Sequence, residues 1–149
     1  MSSRLLLEQR GLEATPRRAA VVDALALLDH APSAPELLDA VRHSVQLDKV
    51  TLYRTLDLLV EVGLVRRHAG GDSVFRYCLV ADTAPVPHPH FFCTRCKRMS
   101  CLPALDMPLA DALQLPAGQR AERIELRVDG ICPTCDEAAF SIAPPSKEN

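Results

Sequence analysis

The sequence predicts an α+β chain, with a winged helix over residues 1–82 and a small α/β unit over residues 88–140. Three observations carry that prediction. The first half reads as capped helices followed by a hairpin pattern. The second half opens and closes on cysteine pairs, Cys93/Cys96 and Cys132/Cys135. Between them lies "ADTAPVP", which holds two prolines and no periodicity and reads as a linker, with residues 83–87 as a hinge. Residues 141–149 are expected to form a disordered tail.

Ser2 or Ser3 can cap a first helix through "RLLLEQR", and Gly11 suits the left-handed residue that ends it. Thr15 stands before Pro16, a favoured first-turn residue, and Ala20, Val21, Ala24, Leu25 and Leu28 recur at helical spacing, so a second helix runs from about 16 to 28. "SAPE" reads as a capping box between Ser33 and Glu36, opening a third helix to about His43. Asp48 caps "KVTLYRTLDLLVEV", with Leu52, Leu56, Leu59 and Val60 on one face and Gly63 just past its end. "LVRRH" and "SVFRYCLV" then flank "AGGDS", whose paired glycines permit the positive φ of a tight turn. In the second half a strand at "RMSCL", a short helix near "DMPLADALQL" and a strand at "RIELRV" complete the α/β unit.

The last three of these helices and the hairpin, in this order, make a winged helix-turn-helix, whose last helix before the wing enters the DNA major groove. Its candidate readers are Lys49, Thr51, Tyr53 and Arg54; a solvated helix face is the competing reading. Arg17 and Arg18 on an earlier helix, and Arg66 and Arg67 on the wing, are candidate phosphate contacts, although surface arginines commonly hold nothing. Bulk charge does not decide the matter: the net charge is −2 and the first 80 residues carry as many acids as bases.

The 149-residue chain has room for one ordinary domain or two small ones, and no apolar run approaches the length of a membrane span. Its N-terminus lacks the apolar core and cleavage site of an export signal, so a cytoplasmic location is expected and the cysteines are read as thiolates for metal or redox work. Each CxxC presents two thiolates through a tight turn, and Cys93, Cys96, Cys132 and Cys135 together close a tetrahedron suited to structural Zn²⁺. A dithiol redox pair or plain buried cysteines are the competing readings. In "HPHFFCTRCKRMSC" that leaves His88, His90 and Cys101; with Cys78 from the second wing strand they compose a second, N₂S₂ site at the junction of the halves. His30 or His68 can take the place of Cys101 as fourth ligand, and His43 reads as a helix-end surface residue. A zinc enzyme is disfavoured, because no carboxylate stands with the histidines as general base except Asp82 in the linker.

These motifs, "TPRR", "VTLYRTLDLLVEVGLVRR", "GGDSVFRYC", "HPHFFCTRC" and "CPTC", resemble in order the ferric uptake regulator (Fur) family of bacterial metal-dependent repressors, from about residue 5 to 137. The resemblance implies a winged helix joined to an α/β dimerisation domain, working as a homodimer on palindromic double-stranded operator DNA. It also implies DNA contact by Tyr53 and Arg54 on the recognition helix, supported by Arg17, and structural zinc on the four paired cysteines. The family's sensing ligands fall on His30, Cys78, His88, His90 and Cys101, and two positions that are commonly carboxylates are cysteine here. Thiolate with imidazole favours Zn²⁺ over Fe²⁺ or Mn²⁺, which points to the zinc uptake regulator (Zur) branch; an iron-responsive or a thiol- or peroxide-responsive regulator is the alternative. Another site found in some members is not expected, since Pro87, Pro89 and Ile124 occupy its places. Lys97 stands where a glycine is usual after the first CxxC.

Overall fold

The computed structural model of the chain describes residues 1–80 and 88–141. The expected hinge at 83–87, and all of the expected tail beyond Ser141, lie outside them. Four helices open the chain: α1 (Ser3–Gln9), α2 (Pro16–Leu27), α3 (Ala34–Arg42) and α4 (Lys49–Glu61). Each starts where a side chain can replace the missing intrahelical partner of the first turn. Ser2 Oγ accepts from the amide of Leu5 (3.3 Å), Thr15 Oγ1 from Arg18 (3.4 Å) and Asp48 Oδ1 from Thr51 (2.7 Å). At α3 the Glu36 carboxylate accepts from both the amide and the hydroxyl of Ser33 (2.7 and 2.8 Å). Gly11 and Gly63 end α1 and α4 at φ 72° and 71°, a region costly for any residue with a Cβ.

The apolar faces meet in one core. Leu7, Val21, Val22, Leu25, Leu37, Val41, Leu52, Leu56 and Leu59 are buried together with Leu64, Val65 and Tyr77 of the following hairpin. Strands β1 (Val65–Ala69) and β2 (Phe75–Leu79) pair antiparallel with Val65 opposite Leu79 and Arg66 opposite Cys78. The expected role of the turn glycines does not hold: positive φ falls on Ser73 (62°), and neither Gly70 nor Gly71 has it. Those two glycines meet a different demand, because a Cβ on either would stand 3.0 Å from the ring of Phe92 in the other half of the chain.

The second half contains β3 (His90–Cys93), β4 (Met99–Cys101), α5 (Leu109–Ala112), β5 (Arg127–Gly130) and α6 (Pro133–Ser141). The sheet order is β4-β3-β5, with β4 antiparallel and β5 parallel to the central β3. The last strand lies later than the expected "RIELRV". Strand β3 is short and its ladder runs from His90 opposite Arg127 to Cys93 opposite Gly130, so residues 123–126 find no partner strand. Helix α6 was not anticipated, although Pro133 in its first turn and Asp136 beside it are start signals.

The halves are closely joined. Ala31, just before α3, bridges Met99 of β4, and Ala31, Cys78, Phe92 and Met99 form a second buried cluster drawn from both.

Candidate metal centres and nucleic-acid face

The two CxxC hooks come together because one lies in the turn after β3 and the other where β5 passes into α6, and β3 and β5 are neighbours. The ligand atoms of Cys93, Cys96, Cys132 and Cys135 all lie within 4.8 Å of one another, and Cys96 Sγ is 3.8 Å from Cys132 Sγ. A tetrahedral ion with Zn–S bonds of about 2.3 Å requires sulfurs about 3.8 Å apart. Amides stabilise charge here: hydrogen bonds from the amides of Cys96 and Cys132, the latter 3.3 Å from Cys93 Sγ, hold the Cys93 thiol down at about 6. Cys135 moves the other way, to about 12, chiefly through its contact with Cys132. A cation here would meet a Cys93 thiol that ionises readily and would displace the proton held by Cys135. Lys97, in the place of the expected glycine, has a left-handed backbone at φ 63°, and its Nζ donates to the carbonyl of Thr94 (2.6 Å).

The second cluster spans the junction. Cys78 comes from β2, His90 and the preceding His88 from the start of β3, and Cys101 sits opposite His90 on β4. Their ligand atoms also lie within 4.8 Å of one another, with Cys78 Sγ 3.8 Å from His88 Nε2 and 3.6 Å from His90 Nε2. Those separations match the edges of a tetrahedron with Zn–N of about 2.0 Å and Zn–S of about 2.3 Å. Cys78 and His90 are buried, His88 is half-buried and Cys101 is exposed. Contact with Cys101, then burial, pushes the Cys78 thiol far up; the Cys78 proton, His90 and His88 hold Cys101 down at about 4. Two sulfurs and two imidazole nitrogens, with no oxygen among the described ligand atoms, suit Zn²⁺ better than a hard cation.

The two alternative ligands separate. His68 on β1 lies against the cluster: its Nε2 is 3.4 Å from Cys78 Sγ and its ring centroid 4.0 Å from that of His90, while its Nδ1 is 3.9 Å from Glu125. Burial, then the neighbouring His90, lowers its pKa to about 4 and keeps the ring neutral. His30 is turned elsewhere, with Nδ1 3.0 Å from Asp29 and 3.3 Å from the guanidinium of Arg98, and Nε2 3.8 Å from Glu36.

On α4, Lys49, Tyr53 and Arg54 are exposed, and the Lys49 ammonium lies 5.9 Å from the Tyr53 ring centroid. The Thr51 hydroxyl is engaged in the cap, donating to Asp48 Oδ2 at 3.0 Å. Arg17 is exposed and acts electrostatically on Asp48, which puts it near the start of α4. Arg18 donates to the carbonyl of Glu13 (3.0 Å), and on the wing Arg67 stands 4.6 Å over the Phe75 ring. Arg66, opposite Cys78, belongs to the wing face turned to the second half.

The fold and the paired clusters define a winged-helix protein with a thiolate-rich α/β domain. The profile of the ferric uptake regulator family matches residues 9–104, and the chain belongs to that family. The chain is 30% identical over 132 residues to the zinc uptake regulation protein of Escherichia coli (strain K12), covering 87% of this chain and 76% of that one. It is 34% identical over 92 residues to the ferric uptake regulation protein of Bacillus subtilis (strain 168), covering 60% and 62%. Among solved structures, one described as a zinc uptake regulator complexed with zinc and DNA superimposes with a TM-score of 0.66 at 26% identity, over 94% of this chain and 98% of that one.

Proposed function

We propose that this chain is a zinc-sensing transcriptional repressor that binds palindromic operator DNA as a homodimer when its junction site is filled. The observation that carries the reading is the N₂S₂ cluster of Cys78, His88, His90 and Cys101, whose ligands come from the wing on one side and from β3 and β4 on the other. Zinc would supply a cross-link there. The chain's own part is to place the two halves so that a filled site holds the wing, and with it α4, at one angle to the dimerisation domain. Occupancy then selects one conformer, with leverage equal to the difference in affinity between conformers. Cys93, Cys96, Cys132 and Cys135 would hold a separate structural zinc that ties β3 to α6. Tyr53, Arg54 and Lys49 face the groove in this reading, Arg17 supports them at the phosphates, and Thr51 acts mainly by capping the helix. Residues 1–82 serve as the DNA-binding domain and 88–140 as the dimerisation domain. The zinc uptake regulation relative, matched over more of both chains than the ferric one, favours this reading over an iron sensor, as does a donor set without oxygen among the described residues. Among the described residues no helix is long and apolar enough to cross a membrane, consistent with the cytoplasmic placement we infer.

Metal content and operator affinity test the reading together. The Cys78→Ser, His90→Ala double variant is expected to keep one zinc per chain and its dimeric state but to lose zinc-stimulated binding in fluorescence anisotropy. Full stimulation in that variant would refute the site. Stronger activation of the parent by Fe²⁺ than by Zn²⁺ would refute the metal.

A further inference from the structure

The wing tip and the β3 sheet touch at a second place, through residues that are not metal ligands. Along β3, His90 and Phe92 alternate onto one face. His90 enters the N₂S₂ cluster, and Phe92, 1% exposed, lies under the wing tip. The backbone of Gly70 and Gly71 passes so close to this ring that a Cβ on Gly71 would stand 3.0 and 3.2 Å from its Cε1 and Cδ1. At Gly70 the added atom would meet Phe92 Cε2 at 3.0 Å and also the guanidinium of Arg76. Positive φ does not explain the pair, so what these positions share is the need for bare backbone against an aromatic face.

Other groups hold the contact shut. Arg127 of β5 donates from Nη1 to the carbonyl of Ala69, the last residue of β1, at 2.9 Å, and its other nitrogens hold Asp129 (2.7 and 3.1 Å). Arg76, buried on β2, pairs with Asp72 of the wing turn and has its guanidinium carbon 5.1 Å from the Phe92 ring centroid. On the far side of the sheet junction Arg98 pairs with Asp29, next to the Ala31–Met99 bridge.

We infer that the wing tip and Phe92 form a metal-independent latch, in which Gly70 and Gly71 seat on the ring and Arg127 fastens Ala69, and that this latch sets how tightly the junction site holds zinc. The inference rests on the proposed reading of the N₂S₂ cluster as the regulatory site. Its physical basis is that the latch and the cluster share β3 and the wing hairpin. A seated tip pre-assembles Cys78 against His88, His90 and Cys101. With the tip lifted, part of the metal's binding energy must be spent on drawing the hairpin back, and apparent affinity falls by the population of the competent conformer. Arg127, Gly70 and Gly71 are thus positioning residues, and none of them is a zinc ligand.

Gly71→Val tests this at an exposed position, and Arg127→Ala removes the fastening without adding bulk. Both are measured as full-length, zinc-replete dimers against a competing zinc chelator, with operator anisotropy and amide hydrogen exchange of the wing tip in parallel. The amide of Gly70 donates to the carbonyl of Val74 (2.9 Å) and reports on the turn. The expected result for each variant is retention of the structural zinc and of the dimer. The zinc midpoint for operator binding should move about tenfold higher, as one displaced packing contact would produce, with operator affinity recovering at saturating zinc. Exchange should rise at the wing tip. General damage to the fold would lower the plateau and would not be reversed by zinc, which overturns the proposal. A parent-like midpoint in Gly71→Val also overturns it, and if that variant does not fold, a parent-like midpoint in Arg127→Ala does so. A parent protein whose operator affinity ignores zinc would refute the regulatory reading itself, and the latch with it.

Discussion

Lys97 and Cys101 are single residues whose chemistry departs from what their surroundings would otherwise take. Lys97 holds φ 63° directly after the first hook, and a left-handed backbone costs a residue with a Cβ about 1–2 kcal/mol. Lys97→Gly should therefore stabilise the zinc-loaded C-terminal domain by about 1 kcal/mol, seen as a higher melting temperature, with no change in metal content. Cys101 supplies the exposed sulfur of the junction cluster. Replacing it by Glu returns an oxygen donor, so Cys101→Glu is expected to weaken zinc binding and raise the response to Fe²⁺ or Mn²⁺ in operator-binding titrations. The sequence made these residues legible because ligand type and spacing are local properties. It could not separate His30 from His68, which depends on how α3 and the wing dock: only the folded chain shows His30 among Asp29, Glu36 and Arg98, and His68 beside Cys78.

At the scale of elements, α4 joins a fully buried face to an exposed one. Leu52, Leu56 and Leu59 anchor it, leaving Tyr53 and Arg54 outward. Arg54→Ala and Tyr53→Ala should each weaken operator binding without affecting dimerisation or metal content, and Arg54→Ala should also flatten the salt dependence if it contacts phosphate. The wing depends on a buried cation. Hydrogen bonds from Arg76 hold the Asp72 carboxyl well below the usual carboxylate range, helped by the amide of Val74. A depressed folded pKa means that this contribution is fully present above about pH 4 and is lost as pH falls below the ordinary carboxylate value. Asp72→Asn should thus destabilise the hairpin by about 1–3 kcal/mol at neutral pH, and thermal melts of variant and parent should converge in acid. Helix boundaries were readable because caps are written within a few residues. The register of β5 and the use of Gly70 and Gly71 were not, since each is set by a partner distant in sequence.

For the whole molecule, strand β3 belongs to both metal clusters and to the wing contact. His90 serves the junction cluster, Phe92 the wing contact and Cys93 the four-sulfur cluster, all within four residues of one another. This shared strand makes an order of assembly testable: if the four-sulfur cluster steadies β3, filling it should come before the junction cluster gains its full affinity. Titrating metal-free chain with zinc should then give two steps, with circular dichroism complete near one equivalent and operator binding rising only toward the second. Simultaneous rise of both signals would contradict the ordering.

On the proposed reading, such a chain would work as a counter with a built-in offset. The first ion would be consumed in making the instrument and only the next reported, so a newly made, half-metallated molecule would stay silent. A cell whose zinc supply just covers protein synthesis would leave the operator open, and the signal would begin only where surplus begins.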